Sequence, residues 1–325
     1  AAAGQATAQS APDMSKYILT PKPADTPRIN GARVFGVRPG SEFLYTIAAT
    51  GIRPMTFSAE GLPKGLKLDP KTGRITGRVT APGEYTVHLK ATNALGSSER
   101  SLKIVVGSEI ALTPPMGWNS WNCWARDVTQ EQVLSSARAM VESGLADHGW
   151  SYINIDDGWQ GKRGGKDNAI QPNAKFPDMK GLTRAIHDMG LRVGIYSTPW
   201  IGTYAAHIGS YSDNPDGVNE WIKKGRHNEH YRYQKEGGNY WKDRTEVWHL
   251  GPYSFVEADV KQWGEWGIDY LKYDWNPLDY YHVKEMHDAL RTLDRDVVYS
   301  LSNSAPYGDA PQWMQYSNCW RTTGD

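Results

Sequence analysis

Apolar and polar residues alternate in short runs across residues 28–107, and clusters of turn-forming residues separate the runs. In "YTVHLKA", the side chains of Val87, Leu89 and Ala91 fall on one face of a strand, with polar residues between them. This alternation is typical of an antiparallel strand with one buried face. Regularly spaced strands and turns over residues 28–107 predict a small immunoglobulin-like (Ig-like) β-sandwich.

From about residue 108 the pattern changes to a repeated strand followed by a helix. Gly149, Gly190 and Gly267 each stand at a helix-to-strand junction, where a left-handed residue ends the helix. Thr129 with Gln132, and Ser254 with Glu257, have the spacing of capping boxes. Repeated βα units predict a parallel sheet. Strand ends are predicted near Trp118, Asp157, Tyr196, Asp274, Leu301 and Asp325.

The predicted fold is α/β, a (β/α)8 TIM barrel over residues 108–325 preceded by the small all-β sandwich. A doubly wound sheet is disfavoured because no glycine-rich phosphate loop follows the first strand. Only about six βα units are present, and a barrel needs eight. We therefore expect the sequence to be a fragment of a longer protein. Residues 1–27 are predicted to be a flexible tail, and about residues 200–252 an aromatic-rich insertion.

Composition narrows the class of ligand. The 325 residues include 36 Lys and Arg against 36 Asp and Glu, so no nucleic-acid partner is expected. No apolar run is long enough to predict a membrane span. The chain has 14 Trp and 18 Tyr but only 5 Phe. Aromatic rings with a polar group suit surfaces that are apolar on one side and wet on the other, as a sugar requires.

Little in the sequence points to a metal, a cofactor or a disulfide. Cys123 and Cys319 lack metal-ligand spacing, and two buried thiols are predicted. No residue cluster suggests a metal ligand set, so no cofactor is expected. The N-terminal residues, rich in Ala, Gln and Ser, fit a chain from which a signal peptide was removed. An extracellular or periplasmic location is expected on that basis.

Carboxylates collect at the predicted strand ends, as Asp156 and Asp157, Asp274 and Asp325. Active sites of βα barrels lie at the carboxyl ends of the strands. Hydrolysis of a glycosidic bond needs two carboxyl groups that flank it. Lys272 lies two residues before Asp274 on the same strand face and is expected to favour the ionised carboxylate. Two alternatives are open. Lys272 and Asp274 could form an ordinary ion pair at a strand end, and Asp156 and Asp157 could cap the start of a helix.

The segments "LTPPMGWNSWNCW", "YINIDDGWQ", "GLRVGIYSTPW", "YLKYDWN" and "WRTTGD" occur in this order. Together they resemble glycoside hydrolase family 27, which contains α-galactosidases, α-N-acetylgalactosaminidases and some β-L-arabinopyranosidases. The resemblance covers about residues 112–325. The segment from "GLPKGLKLDPKTG" onward resembles Ig-like modules appended to bacterial extracellular proteins, which implies a spacer or docking role.

The resemblance implies a retaining exo-glycosidase that acts on a galactose-containing oligosaccharide or glycan. It makes Asp274 the nucleophile and Asp325 the general acid/base. Asp156 and Asp157 match the acids that bind the 4- and 6-hydroxyls of the sugar. Trp121 matches the aromatic wall of the sugar site.

Further matches complete the implied sugar site. Tyr196 and Lys272 match residues that line it, and Arg321 matches an arginine at the 2-position of the sugar. The alternative is that Lys272 and Arg321 are purely structural members of ion pairs. Trp118, Trp159 and Trp275 are predicted to pack in the core rather than to contact the ligand.

The sequence departs from the family at the 2-position, where "YSLSNSAPYG" replaces the usual cysteine, Glu or Ser, and Trp. Asn303 is predicted to bind either a 2-hydroxyl or a 2-acetamido group. α-Galactosidase, α-N-acetylgalactosaminidase and β-L-arabinopyranosidase activities thus stay open, as does a sugar-binding protein on a degenerate barrel. The usual cysteine two residues after the nucleophile is Asn276, so a common family disulfide is missing. The oligomeric state is left open.

Overall fold

The computed structural model describes residues 22–218 and 247–323. Most of the predicted tail, the middle of the predicted insertion and the predicted acid/base Asp325 lie outside the described residues.

The first part of the chain folds into β-strands around a hydrophobic core of its own. A four-stranded sheet has the order β2-β9-β8-β5, and a three-stranded sheet has the order β3-β7-β6. Val87, Leu89 and Ala91 are at most 1% exposed, which confirms their predicted common face. The strands are β1 Arg28–Ile29, β2 Val34–Val37, β3 Glu42–Thr46, β4 Ala49–Thr50, β5 Thr56–Glu60, β6 Leu66–Leu68, β7 Arg74–Arg78, β8 Gly83–Asn93 and β9 Gly96–Val106.

The second part contains alternating strands and helices. Its strands are β10 Gly117–Asn119, β11 Tyr152–Asn154, β12 Gln160–Gly164, β13 Ala169–Pro172, β14 Arg192–Ser197, β15 Tyr211–Ser212, β16 Tyr253–Ser254, β17 Tyr270–Asp274, β18 Val298–Ser302 and β19 Cys319–Trp320. Its helices are α1 Trp121–Trp124, α2 Gln130–Glu142, α3 Met179–Asp188, α4 Val256–Trp266, α5 Tyr280–Arg291 and α6 Ala310–Tyr316. Short 3-10 helices span Ala125–Asp127, Ala146–His148 and Tyr307–Asp309.

Six strands form one parallel sheet in the order β10-β11-β14-β17-β18-β19. The order follows the chain without reversal, as in a barrel, whereas a doubly wound sheet reverses at a switch point. The structure therefore has the parallel half-barrel that the sequence predicts, with the Ig-like region before it. The hairpins β12–β13 and β15–β16 extend from the connections after β11 and β14.

Local signals for helix ends are largely confirmed. Gly149, Gly190 and Gly267 have φ values of 104°, 81° and 92°, the left-handed conformation predicted for them. The capping box of Thr129 with Gln132 forms at the start of α2. The predicted box at Ser254 is wrong, because α4 begins after Phe255 and the Ser254 hydroxyl instead donates to Glu285 Oε1 at 2.7 Å.

Two other predictions need correction. Cys123 is exposed and Cys319 is only partly buried, so the expectation of two buried thiols is wrong for Cys123. The thiol of Cys123 lies 3.4 Å from Trp118 Nε1 at the rim of the sheet. The last described strand ends at Trp320 rather than near Asp325, because β19 pairs with β18 over a short register.

The Ig-like region packs against the amino-terminal ends of the parallel strands. Arg38 donates to both carboxylate oxygens of Asp296, which precedes β18, through its backbone N–H at 2.9 Å and its Nε at 2.6 Å. Thr46 Oγ1 donates to Gly190 O at 2.8 Å, just before β14. A cavity of about 750 Å³ lies between the two parts. Asp274, the predicted nucleophile, lies at the opposite end of its strand.

Candidate active site

Asp156 and Asp157 follow β11 in a turn that leads to the β12–β13 hairpin, and they are 2% and 1% exposed. A helix N-cap role for this pair is therefore wrong. The backbone N–H of Asp156 donates to Ser120 Oγ at 2.9 Å, and the N–H of Asp157 donates to Asp156 Oδ1 at 2.8 Å. These bonds fix the turn against the end of β10.

Lys272 connects two of the predicted site acids. Its ammonium donates to Asp156 Oδ2 at 2.9 Å and lies 4.0 Å from Asp274 Oδ2. Although burial opposes it, the two carboxylates raise the pKa of Lys272. The same ammonium lies 5.1 Å from the ring centre of Tyr196, so four predicted site residues meet here.

Asp274 ends β17 and is 6% exposed. The Tyr196 hydroxyl donates to Asp274 Oδ2 at 3.2 Å. Asp274 Oδ1 is buried and has no hydrogen-bond partner among the residues that the structure describes. The Tyr196 hydroxyl therefore holds one oxygen of this carboxylate in place.

Burial dominates the electrostatics of Asp274. It raises the pKa of this carboxyl to about 6, although Lys272, the Tyr196 hydroxyl and Arg321 each lower it. Lys272 was expected to favour the ionised carboxylate, and it does lower this pKa. The lysine acts in the predicted direction, but loss of water around the carboxylate is the larger effect.

A buried tryptophan fixes the backbone of Tyr196. Trp159 is fully buried, and its indole N–H donates to the carbonyl of Tyr196 at 2.9 Å. Trp275 is also buried, at 1% exposure. The predicted packing role is therefore confirmed for both residues, and Trp118 packs on the same core while partly exposed.

The remaining predicted residues lie at the same edge of the sheet. Trp121 begins α1 directly after β10 and is half-buried. Asn303 follows β18, and Arg321 follows β19. Arg321 Nη2 donates to Asn303 Oδ1 at 3.3 Å. The structure therefore brings this pair together at neighbouring strand ends, and its role at the 2-position of a sugar stays a prediction.

Sequence reasoning missed the loop after β14. Thr203 Oγ1 donates to Asp157 Oδ1, and the backbone N–H of Ala205 donates to Asp157 Oδ2, both at 2.7 Å. His207 Nδ1 lies 3.3 Å from Asp157 Oδ1. Tyr204, between the two donors, accepts a hydrogen bond from Asn303 Nδ2 at 3.0 Å. These partners are far apart in the chain, and no spacing pattern marks them.

Comparison with known proteins finds two family models that match different stretches of the chain. The family model described as "Alpha galactosidase A" matches residues 113–223, and the model described as "Putative Ig domain" matches residues 26–107. α-Galactosidase A of Cellvibrio japonicus is 33% identical over 228 residues, which are 67% of this chain and 45% of that protein. The chain spans about half the length of the curated relatives it matches.

Two solved structures are similar to all or part of this chain. A Bacteroides fragilis protein described as a "putative alpha-galactosidase" has a TM-score of 0.78 and 36% identity, over 95% of this chain and 59% of that one. α-Galactosidase of Saccharomyces cerevisiae, in a structure with raffinose, has a TM-score of 0.50 and 27% identity, over 66% of this chain and 40% of that one.

Proposed function

Because the chain belongs to the α-galactosidase family of glycoside hydrolases, we propose that it hydrolyses terminal α-D-galactosyl residues of oligosaccharides or glycans with retention of configuration. The observation that carries this proposal is the state of Asp274. Its Oδ2 is held by the Tyr196 hydroxyl, whereas its buried Oδ1 has no partner among the described residues. A nucleophilic carboxylate needs one oxygen free to reach the anomeric carbon.

The proposed reaction has two displacements. Asp274 Oδ1 attacks the anomeric carbon, and the glycosidic C–O bond breaks as a carboxylic acid protonates the leaving oxygen. The same acid, now a carboxylate, takes a proton from water, which attacks the anomeric carbon and releases Asp274. The family resemblance assigns the acid/base role to Asp325, which lies outside the described residues.

Binding of the sugar is proposed to depend on the acids and cations around Asp274. The Asp156 carboxylate and the Lys272 ammonium lie side by side, so they offer an acceptor and a donor to neighbouring hydroxyls. Trp121 is proposed to be the apolar wall for the C–H face of the sugar. Arg321 is proposed to act near the 2-position together with Asn303.

The half-barrel is proposed to be the first six strands of an eight-stranded barrel. Supporting this, the six strands follow the chain order, and the fold is similar to the Bacteroides fragilis structure over nearly the whole chain. An extracellular or periplasmic location is also proposed, supported by the Ig-like region. No helix in residues 22–218 and 247–323 is both long and apolar enough to cross a membrane. Cell fractionation tests the location.

Hydrolysis of three aryl glycosides tests the activity: the α-galactoside, the α-N-acetylgalactosaminide and the β-L-arabinopyranoside. We expect release from the α-galactoside, with loss of at least three orders of magnitude in Asp274→Asn. A 2-deoxy-2-fluoro or 5-fluoro galactosyl fluoride should label Asp274, as detected by peptide mass spectrometry. Preference for either other substrate would replace the proposed specificity, and sugar binding without turnover or labelling would indicate a sugar-binding protein.

A further inference from the structure

The side chain of Asn303 is held at both ends of its amide. Asn303 Nδ2 donates to the Tyr204 hydroxyl at 3.0 Å, and Asn303 Oδ1 accepts from Arg321 Nη2 at 3.3 Å. Tyr204 lies in the loop after β14, and Arg321 follows β19. Residues from two separate connections therefore fix the orientation of one amide between them.

The backbone at Asn303 is also constrained. Asn303 and Ser304 have φ values of 80° and 58°, in the left-handed region that residues other than glycine seldom occupy. The N–H of Ser304 donates to Thr323 O at 3.1 Å, and the N–H of Ala305 donates to Arg321 O at 2.8 Å. Strained backbone of this kind is found where surrounding contacts fix a functional side chain.

Tyr204 is itself firmly positioned. Its ring lies 5.1 Å from the ring of Trp200 and 4.6 Å from the ring of Trp248, between ring centres and with edge-on geometry. The indole N–H of Trp248 donates to Thr203 O at 2.9 Å. The two tryptophans thus hold the ring, and the hydroxyl points to Asn303.

Asp157 fixes the backbone on both sides of Tyr204. One of its carboxylate oxygens accepts from the Thr203 hydroxyl and the other from the Ala205 N–H, each at 2.7 Å. Asp157 is 1% exposed, so these bonds are shielded from water. The two bonds therefore tie the residues on either side of Tyr204 to one buried carboxylate.

We propose that Tyr204 is a specificity-determining residue for the 2-position of the sugar. The inference rests on the proposed function. With both ends bonded, the Asn303 amide keeps one N–H hydrogen and one lone-pair direction for a small partner such as a 2-hydroxyl. A 2-acetamido group is larger, and it requires the amide to turn and break the bonds to Tyr204 and Arg321. The site therefore selects galactose over N-acetylgalactosamine.

The test compares the two sugars in the full chain and three variants. Tyr204→Phe removes the hydroxyl but keeps the ring between the tryptophans; Asn303→Ala removes the amide; and the double variant combines them. Tyr253→Phe is the matched control, because Tyr253 is 41% exposed on β16. Affinities for galactose and N-acetylgalactosamine are measured by calorimetry, and kcat/KM is measured on the two aryl α-glycosides.

We expect Tyr204→Phe to lower the preference for the 2-hydroxyl sugar about tenfold in both readouts, with no change in Tyr253→Phe. The double variant should resemble Asn303→Ala, since Tyr204 acts through Asn303. An equal loss for both sugars in Tyr204→Phe, or additive effects in the double variant, would overturn the inference while the proposed function stands. A wild-type chain that neither binds nor hydrolyses either sugar would overturn both.

Discussion

Lys272 is bonded to Asp156 more closely than to Asp274: its ammonium lies 2.9 Å from Asp156 Oδ2 and 4.0 Å from Asp274 Oδ2. The lysine two residues before the proposed nucleophile is therefore anchored mainly by an acid from another strand end. At 4.0 Å it still acts on Asp274 through space. Because the site is buried, this interaction is weakly screened by solvent.

The pH dependence of hydrolysis should report this arrangement. Asp274 must be ionised to attack, and its pKa is raised to about 6 by burial. We expect kcat/KM to rise with pH with an apparent pKa near 6 on the acidic side. Lys272→Met removes a cation that lowers this pKa, so the acidic limb should move to higher pH by about one unit. The measurement is the pH profile of α-galactoside hydrolysis.

Lys284→Met is the control for this profile, because Lys284 pairs with Asp288 on the surface of α5. The acidic limb of the pH profile of Lys284→Met should coincide with that of the wild type. An unchanged limb in Lys272→Met, measured alongside a loss of activity, would mean that Lys272 only binds the substrate.

Replacement of the proposed nucleophile should stabilise the protein at neutral pH. A carboxyl whose folded-state pKa is raised from 3.8 to about 6 contributes stability below pH 4, and this contribution is lost as the pH rises through 6. Asp274→Asn has no such loss. We expect the difference in the free energy of unfolding between variant and wild type to grow by roughly 2.5 kcal/mol from pH 4 to pH 8.

Urea denaturation at the two pH values measures this difference. Asp188→Asn, at a largely exposed side chain at the end of α3, serves as the control and should show little pH-dependent change. A constant difference between Asp274→Asn and wild type would contradict the raised pKa of Asp274.

Contact between the Ig-like region and the half-barrel should contribute to stability through Gly190. Both Gly190 and Gly144 have φ of +81°, so alanine costs about 1 kcal/mol of conformational strain at each. A Cβ at Gly190 would lie 2.5 Å from Thr46 Oγ1, whereas one at Gly144 would meet nothing within 4 Å. We expect Gly190→Ala to lower the free energy of unfolding by about 1 kcal/mol more than Gly144→Ala.

Chemical denaturation of the two glycine variants makes this comparison directly. Equal losses of unfolding free energy in the two variants would show that the Thr46 side chain moves away from the added methyl group without cost. They would also argue that the Ig-like region is attached loosely at this point.

A buried ion pair between β12 and α4 should be essential for stability. Arg163 donates through Nη1 and Nη2 to the two carboxylate oxygens of Asp259, at 2.8 and 3.1 Å, and both side chains are at most 2% exposed. Asp259→Asn leaves the guanidinium charge uncompensated. We expect a loss of about 3–5 kcal/mol in the free energy of unfolding.

The matched surface pair is Asp167 with Lys261, which lie 2.5 Å apart and are 37% and 51% exposed. Asp167→Asn should lower the free energy of unfolding far less, because solvent screens an exposed ion pair. Similar losses for the two variants in thermal or urea unfolding would mean that Arg163 finds another partner or water when Asp259 is replaced.

Several elements could be predicted from local sequence because their causes are local. The alternation in β8 assigns a buried face, and glycine at a helix end permits a left-handed residue, so Val87 and Gly267 behave as predicted. The capping prediction at Ser254 failed because α4 begins one residue later, after Phe255, and the Ser254 hydroxyl accepts from the N–H of Val256 while it donates to Glu285. Exposure of Cys123 likewise depends on where the chain places α1, which the cysteine context does not specify.

The sequence by itself determined which residues lie at the carboxyl ends of the parallel strands, because strand periodicity and helix-end glycines are local. It therefore brought Asp156, Lys272 and Asp274 to one edge. Only the tertiary structure decided that Lys272 pairs first with Asp156, and that Asp157 and Asn303 hold the loop of Tyr204. Those contacts, and the burial that raises the pKa of Asp274, depend on side chains distant in the chain, whose distances follow from packing alone.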